Sequence, residues 1–271
     1  MFRTMLLATC LAAPAVAQDF QLAAPELSTS TNTRDTGGPA IGFTLSGGLG
    51  AQPSYFGSGD TDYGPTGGFE LNYLRLGRLE FGNPDPLFVP EGLGVTGSFR
   101  FIGERDDDDD PELEGLDDVD ASLEVGVGLR YATRGYQVFG SVRYGVIGHE
   151  AFVGEVGGDI FLRPNDRWTL RAGPRILFGT DEYADTYFGV TPDEAAASVG
   201  ESDFAAFDPD GGLISTGLEL GAGYRINDRW GMDAAIRYER LQDDAADSPI
   251  TTDDEQISAS IGLTRRFTLG F

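Results

Sequence analysis

From Trp168 onward every second position is apolar: Trp168, Leu170, Ala172, Pro174, Ile176 and Phe178 are separated by Thr169, Arg171, Gly173 and Arg175, with Arg167 just ahead. A period of two marks a β-strand, whose successive side chains point to opposite faces. Ala121, Leu123, Val125, Val127, Leu129 and Tyr131 alternate in the same way with Ser122, Glu124, Gly126, Gly128 and Arg130. So do Leu93 to Phe101, around Arg100, and Trp230 to Tyr238, around Asp233 and Arg237, with Glu239 next. A row of arginines cannot be the dry core of a soluble sheet, and the apolar rows cannot all face water. A soluble antiparallel sandwich also alternates, but it has no reason to set arginines and glycines along its polar face. Segments of about ten residues, apolar outside and polar inside, suit a tilted strand crossing a bilayer. The pattern predicts an all-β, antiparallel transmembrane β-barrel.

Turn residues set the topology. Ala132-Thr133-Arg134-Gly135, Arg163-Pro164-Asn165-Asp166 and Ile226-Asn227-Asp228 read as tight turns, while 53–63, 104–119, 180–210 and 242–255 are long and polar. Outer-membrane barrels keep short turns in the periplasm and long loops outside. Counting back from a periplasmic C-terminus, strands fall near 256–271, 229–241, 211–226, 166–179, 150–162, 134–148, 120–132, 92–103, 64–81 and 41–52. That is about ten; a turn at Leu76-Gly77-Arg78 would add a hairpin and make twelve.

The two chain ends agree. Ile257, Ala259, Ile261, Leu263, Phe267, Leu269 and the terminal Phe271 alternate with Ser258, Ser260, Gly262, Thr264, Arg266, Thr268 and Gly270. A last strand closing on Phe267, Leu269 and Phe271 resembles the signal read by the barrel-assembly machinery. Arg265 breaks the pattern; facing lipid it would cost about 2–4 kcal/mol at the midplane, so a bulge or snorkelling is expected. At the other end Arg3, the apolar run Met5–Ala13 and Ala15-Val16-Ala17 read as a signal peptide over residues 1–17. Cleavage before Cys10, as in a lipoprotein, is the weaker alternative. Residues 18–40 are rich in Ser, Thr, Asn and Asp and read as a flexible periplasmic lead, leaving 41–271 for the barrel.

Composition narrows the function. The 271 residues carry 44 acids against 19 bases, a net charge of −25, and every base is Arg. Such a surface repels phosphates, which argues against nucleic acid as a partner. One Cys and one His leave no zinc cluster or disulfide framework. Of the 44 acids, 26 lie in the three loops 104–120, 181–210 and 242–255. The Asp106–Asp110 run lacks the spacing of a calcium loop and reads as a solvated, self-repelling segment. Thr191-Pro192-Asp193-Glu194 reads as the capping box of a short helix.

The inward-facing charges are close to balanced. Arg100, Arg130, Arg143, Arg167, Arg171, Arg175, Arg225, Arg237 and Arg266 stand against Glu70, Glu124, Glu155, Asp159, Glu219, Asp233 and Glu239. Enclosed charges persist when paired, so arginine–carboxylate ladders and a plugged or narrow lumen are expected. An arginine row selecting anions is the alternative. His149, at the Gly148-His149-Glu150 turn, is the one candidate acid–base residue, and no Gly-x-Ser-x-Gly nucleophile accompanies it.

Four stretches carry a resemblance: Tyr55-Phe56-Gly57-Ser58; Gly103-Glu104-Arg105 with Gly115-Leu116-Asp117-Asp118-Val119-Asp120; Tyr183 with Tyr187-Phe188-Gly189-Val190-Thr191; and Asp247-Ser248-Pro249-Ile250. Together they resemble the MipA/OmpV family of Gram-negative outer-membrane proteins, Tyr187 to Thr191 most specifically. The long aspartate run departs from that pattern. The resemblance implies a non-enzymatic barrel without catalytic residues or cofactor. It further implies a scaffold that binds a murein lytic transglycosylase and links it to a penicillin-binding protein. Other family members look like adhesins or envelope-stress barrels. With the residue pattern it places the chain in outer-membrane lipid.

Overall fold

The computed structural model describes residues 38–77, 79–82, 91–107, 110–198 and 202–270. The expected signal peptide, most of the 18–40 lead, Asp108, Asp109 and Phe271 lie outside the described residues. Eleven strands form one antiparallel sheet: β1 Ala40–Pro53, β2 Thr61–Leu76, β3 Leu79–Gly82, β4 Gly92–Ile102, β5 Ser122–Ala132, β6 Tyr136–Ile147, β7 Phe152–Leu162, β8 Trp168–Gly179, β9 Gly212–Arg225, β10 Trp230–Leu241 and β11 Glu255–Gly270. Sequence neighbours pair except β3 and β4, which stand at the two ends of the described strand order, and β1 also pairs with β11 from Ala40↔Gly270 to Ala51↔Ala259. Joining the first long strand to the last curls the meander so that β1, β4 and β11 line a common interior.

Alternation decides which face is which. In the β9–β10 pair Arg237 sits opposite Glu219 and Ile236 opposite Leu220. The charged pair is buried, at 7% and 6% exposure, whereas Ile236 and Leu220 are 55% and 59% exposed. Charge inside and hydrocarbon outside is stable only where the outer wall meets lipid acyl chains. Among the described residues no helix is long and apolar enough to cross a membrane.

Most strand limits fall within three residues of those expected. The exception is 64–81, which is two strands, because Gly77 adopts φ +61 and turns the chain between Leu76 and Leu79. The described strands therefore number eleven rather than ten. Two of the turns are built on Asn side chains: Asn165 Oδ1 accepts from the Arg167 and Trp168 amides, and Asn227 Oδ1 from those of Arg229 and Trp230. Arg265 makes no bulge, since the β1–β11 register runs unbroken past it, with Leu45 opposite.

Among the described residues three short α-helices, α1 Asp181–Phe188, α2 Pro192–Ala197 and α3 Asp243–Asp247, and a 3-10 turn at Pro111–Leu113 occupy the long connections. α2 is the helix that its capping box predicts; α1 and α3 go beyond what the sequence pattern suggested.

Candidate functional site

Most of the inward arginines and carboxylates form a connected network on the β5–β10 side of the lumen. Arg143 Nε lies 2.7 Å from Glu124 Oε2, and its Nη1 donates to Glu155 Oε2 at 3.2 Å and Ser98 Oγ at 3.2 Å. Arg175 Nη2 donates to Asp159 (2.8 Å) and Glu219 (3.1 Å). Arg237 reaches Glu219 Oε2 at 2.7 Å, while Arg171 joins Glu219 (3.1 Å) to Asp233 (3.3 Å). Glu219 thus accepts from three guanidiniums. Glu155 stands 3.9 Å from both Arg175 and Arg237, which ties the two halves together. Gly221 makes room: a Cβ there would come within 2.6 Å of the Arg171 guanidinium carbon. Pairing of this density offsets the desolvation that isolated charges would suffer.

The remaining positions fall outside that network. Arg100 lies over the Phe56 ring at 5.2 Å, and Arg130 is buried facing the interior. Glu239 accepts from Ser215, and Arg266 sits half-buried beside Thr44 and the Arg229 carbonyl. Arg167 and Arg225 are not part of the network but lie at the short-turn rim. There Arg167 donates to the Tyr224 hydroxyl and Arg225 to the Asp166 carbonyl. Alternation carries no information about depth. The Glu70 side chain lies outside the described ones.

The long loops close the opposite end. α1 buries Tyr183, Ala184, Tyr187 and Phe188 against Ile102, Val153, Leu177, Ile214 and Leu241 at the strand ends. Phe56 packs edge-on to Tyr187 at 5.1 Å. Arg105 Nη1 donates to the Tyr187 carbonyl at 3.2 Å, and Ser248 Oγ to that of Phe188 at 2.6 Å. Val190 and Phe207 exchange backbone hydrogen bonds. Glu194 closes the α2 capping box with Thr191 and also accepts from the Asp117 amide at 2.9 Å. Gly115, at φ +97, permits that approach; a Cβ would lie 2.7 Å from Ser198 Cα. All four stretches that carried the family resemblance therefore meet in this one cap.

Burial and hydrogen bonding shift its acids. Burial pushes the Tyr187 hydroxyl up to about 12, and Tyr183, fully enclosed, rises well above the usual tyrosine range. Burial alone would raise Glu194, but the Asp117 and Thr191 hydrogen bonds outweigh it and hold the carboxyl below the usual range. Asp185 is raised by burial and by neighbouring Asp208.

His149 belongs to the foot of this cap. Its Nδ1 accepts from the Ala151 amide at 3.0 Å, so its proton is on Nε2, 3.3 Å from Glu124 Oε1. The neighbouring Ser122 Oγ accepts from the His149 amide and the Tyr187 hydroxyl. Both ring nitrogens are engaged in the fold, and the ring packs edge-on to Tyr183 at 5.1 Å.

Beneath the cap the lumen is not filled. A cavity of about 410 Å³ runs between the charged wall and Gln52, Thr96, Ser258 and Thr264. The inward side chains therefore do not fill the interior, which keeps open volume beneath the cap.

Residues 45–267 match the model of the family described as MltA-interacting protein MipA. The chain belongs to this family. The matched span takes in the strands from within β1 to within β11 and every part of the cap. The MltA-interacting protein of Escherichia coli K12 is 24% identical over 166 residues, 59% of this chain and 63% of that relative. That of Shigella flexneri aligns with the same figures. The alignment therefore spans less than two thirds of either relative. Among solved structures, an outer membrane channel from Pseudomonas putida F1 aligns over 89% of this chain and all of its own, at 12% identity and a TM-score of 0.43. The NanC porin aligns over 84% and 98% of the two chains, at 9% identity and a TM-score of 0.36. A MipA-family chain folded as this barrel is an outer-membrane protein, so the short turns face the periplasm and the cap faces outward.

Proposed function

We propose that this MipA-family barrel is a non-enzymatic scaffold that holds a murein lytic transglycosylase, and through it a penicillin-binding protein, at its periplasmic rim. The observation that carries the reading is the charge of that rim. Among the described side chains, Arg75, Arg134, Arg163, Arg167, Arg225 and Arg229 stand there against Glu91, Asp166 and Asp228, in a chain of net charge −25. A basic collar under an acidic cap favours a partner with an acidic face on the periplasmic side. The name of the Escherichia coli relative, MltA-interacting protein, supports the same partner class. The engaged His149 nitrogens favour a structural residue over a catalytic one.

The reading includes removal of residues 1–17 on export, a periplasmic lead over 18–40, and Phe267, Leu269 and Phe271 as the assembly signal. Purified barrel immobilised in detergent should retain a murein lytic transglycosylase, and Arg134→Glu with Arg229→Glu should weaken that retention in low salt. Undiminished retention by the double variant, or none by the wild type, would overturn it. A second reading, a narrow solute channel, is favoured by the 410 Å³ cavity alone.

A further inference from the structure

We propose that Arg265, Trp230 and Phe267 form a binding site for the phosphate of an anionic phospholipid in the periplasmic leaflet. The proposal is independent of the scaffold reading. Arg265 lies on the outward face of β11, between Leu263 and Phe267, on a row that is otherwise apolar from Ile257 to Leu269. Its guanidinium carbon is 5.0 Å from the Trp230 ring centroid and 4.8 Å from that of Phe267. Phe267 is in turn stacked on Phe43 at 5.1 Å. The cation is therefore held in a fixed aromatic seat.

Its depth fits a headgroup. Arg265 pairs with Trp230, the first residue of β10 after a periplasmic turn. Trp168, the first residue of β8, packs on Tyr224 at 4.8 Å at the same end of the wall. Such aromatic girdles mark the membrane interface. Arg265 thus sits at headgroup level rather than in the hydrocarbon.

Its hydrogen bonding is incomplete. A guanidinium carries five N–H donors, and none of those on Arg265 has a protein acceptor among the described residues. Aromatic faces stabilise the charge but cannot accept those donors as an oxyanion does. A phosphate matches the planar fork in two-pronged fashion, and at this level of the outer wall lipid headgroups are the phosphates within reach. Exposed Arg229, beside Trp230, adds a second positive charge, so a lipid of net negative charge is preferred over a zwitterion. Its carbonyl accepts from the Arg266 amide at 2.8 Å, which fixes the turn against β11.

The test is native mass spectrometry of the folded protein from mixed micelles of phosphatidylglycerol and phosphatidylcholine, with folding checked by heat-modifiable electrophoretic mobility. Wild type should retain phosphatidylglycerol in preference, and Arg265→Gln should lower that retention about tenfold. Arg134→Gln, on a different turn, should leave it unchanged. Equal retention of the two lipids by wild type, or undiminished retention by folded Arg265→Gln, would overturn the proposal. Displacement by millimolar inorganic phosphate would also overturn it, assigning the site to free phosphate. Should Arg265→Gln fail to fold, Arg265→Lys and the wild-type lipid preference decide the matter.

Discussion

Arg143 and Glu124 meet diagonally across the β5–β6 pair at 2.7 Å, with their side chains 1% and 0% exposed. The same carboxylate receives His149 Nε2, so one residue joins the barrel wall to the foot of the cap. Glu124→Gln should leave the Arg143 charge half-compensated and lower stability by about 3–5 kcal/mol, the usual consequence of removing one partner of a buried pair. Urea unfolding in lipid vesicles, followed by tryptophan fluorescence, measures it. Replacing Glu124 and Arg143 together by apolar residues of similar volume should recover much of the loss.

Tyr183 is the converse case. Its hydroxyl is buried among the described residues without a hydrogen-bond partner, while its ring packs on His149 and Phe56. Tyr183→Phe keeps the packing and removes the unpaired group, so it should be neutral or stabilising by about 1 kcal/mol. Tyr183→Ala should cost about 3–5 kcal/mol and expose the cap to protease.

The barrel was legible because one physical constraint repeats along each strand, and alternation alone sorts lipid-facing from enclosed positions. What alternation omits is height. Arg167 and Arg225 have inward parity but sit at the rim, where the Tyr224 hydroxyl and the Asp166 carbonyl, not carboxylates, accept from them. Gly77 was readable as a turn, yet only its φ of +61 shows that β2 ends there. The cap was legible in fragments. The Thr191–Glu194 box is local and gave α2, whereas α1 is held by Phe56, Arg105 and Ser248, which lie far from it in sequence. The spacing of Tyr183, Ala184, Tyr187 and Phe188 is the one local signal that would have revealed it.

The cap should loosen with acid at Glu194. Its folded-state carboxyl lies below the usual glutamate range, so ionised Glu194 contributes stability that is full above the unfolded value. That contribution is lost as pH falls through the lowered one. Hydrogen exchange of 111–119 and 191–198 should stay slow at neutral pH and rise only under strong acid. Glu194→Gln retains an acceptor but loses the charge, so exchange there should already be faster at neutral pH. Equal exchange in the two proteins would show that the capping box does not anchor the cap.

Removing the cap asks what closes the lumen. Two barriers lie in series: the α1–α2 segment at the mouth and the arginine–carboxylate wall beneath it. The wall is confined to the β5–β10 side and leaves a cavity of about 410 Å³ against β1, β4 and β11. Replacing 181–207 by a short Gly/Ser linker should therefore convert a closed barrel into one with steady conductance in planar bilayers. Ion preference of the opened form should be weak, because Arg100, Arg130, Arg143, Arg171, Arg175 and Arg237 are matched by Glu124, Glu155, Asp159, Glu219, Asp233 and Glu239. Glu219→Gln in that background uncovers three guanidiniums at once and should shift it toward anions. If the uncapped barrel stays silent, the wall itself is the seal, and the cap serves only to cover the strand ends.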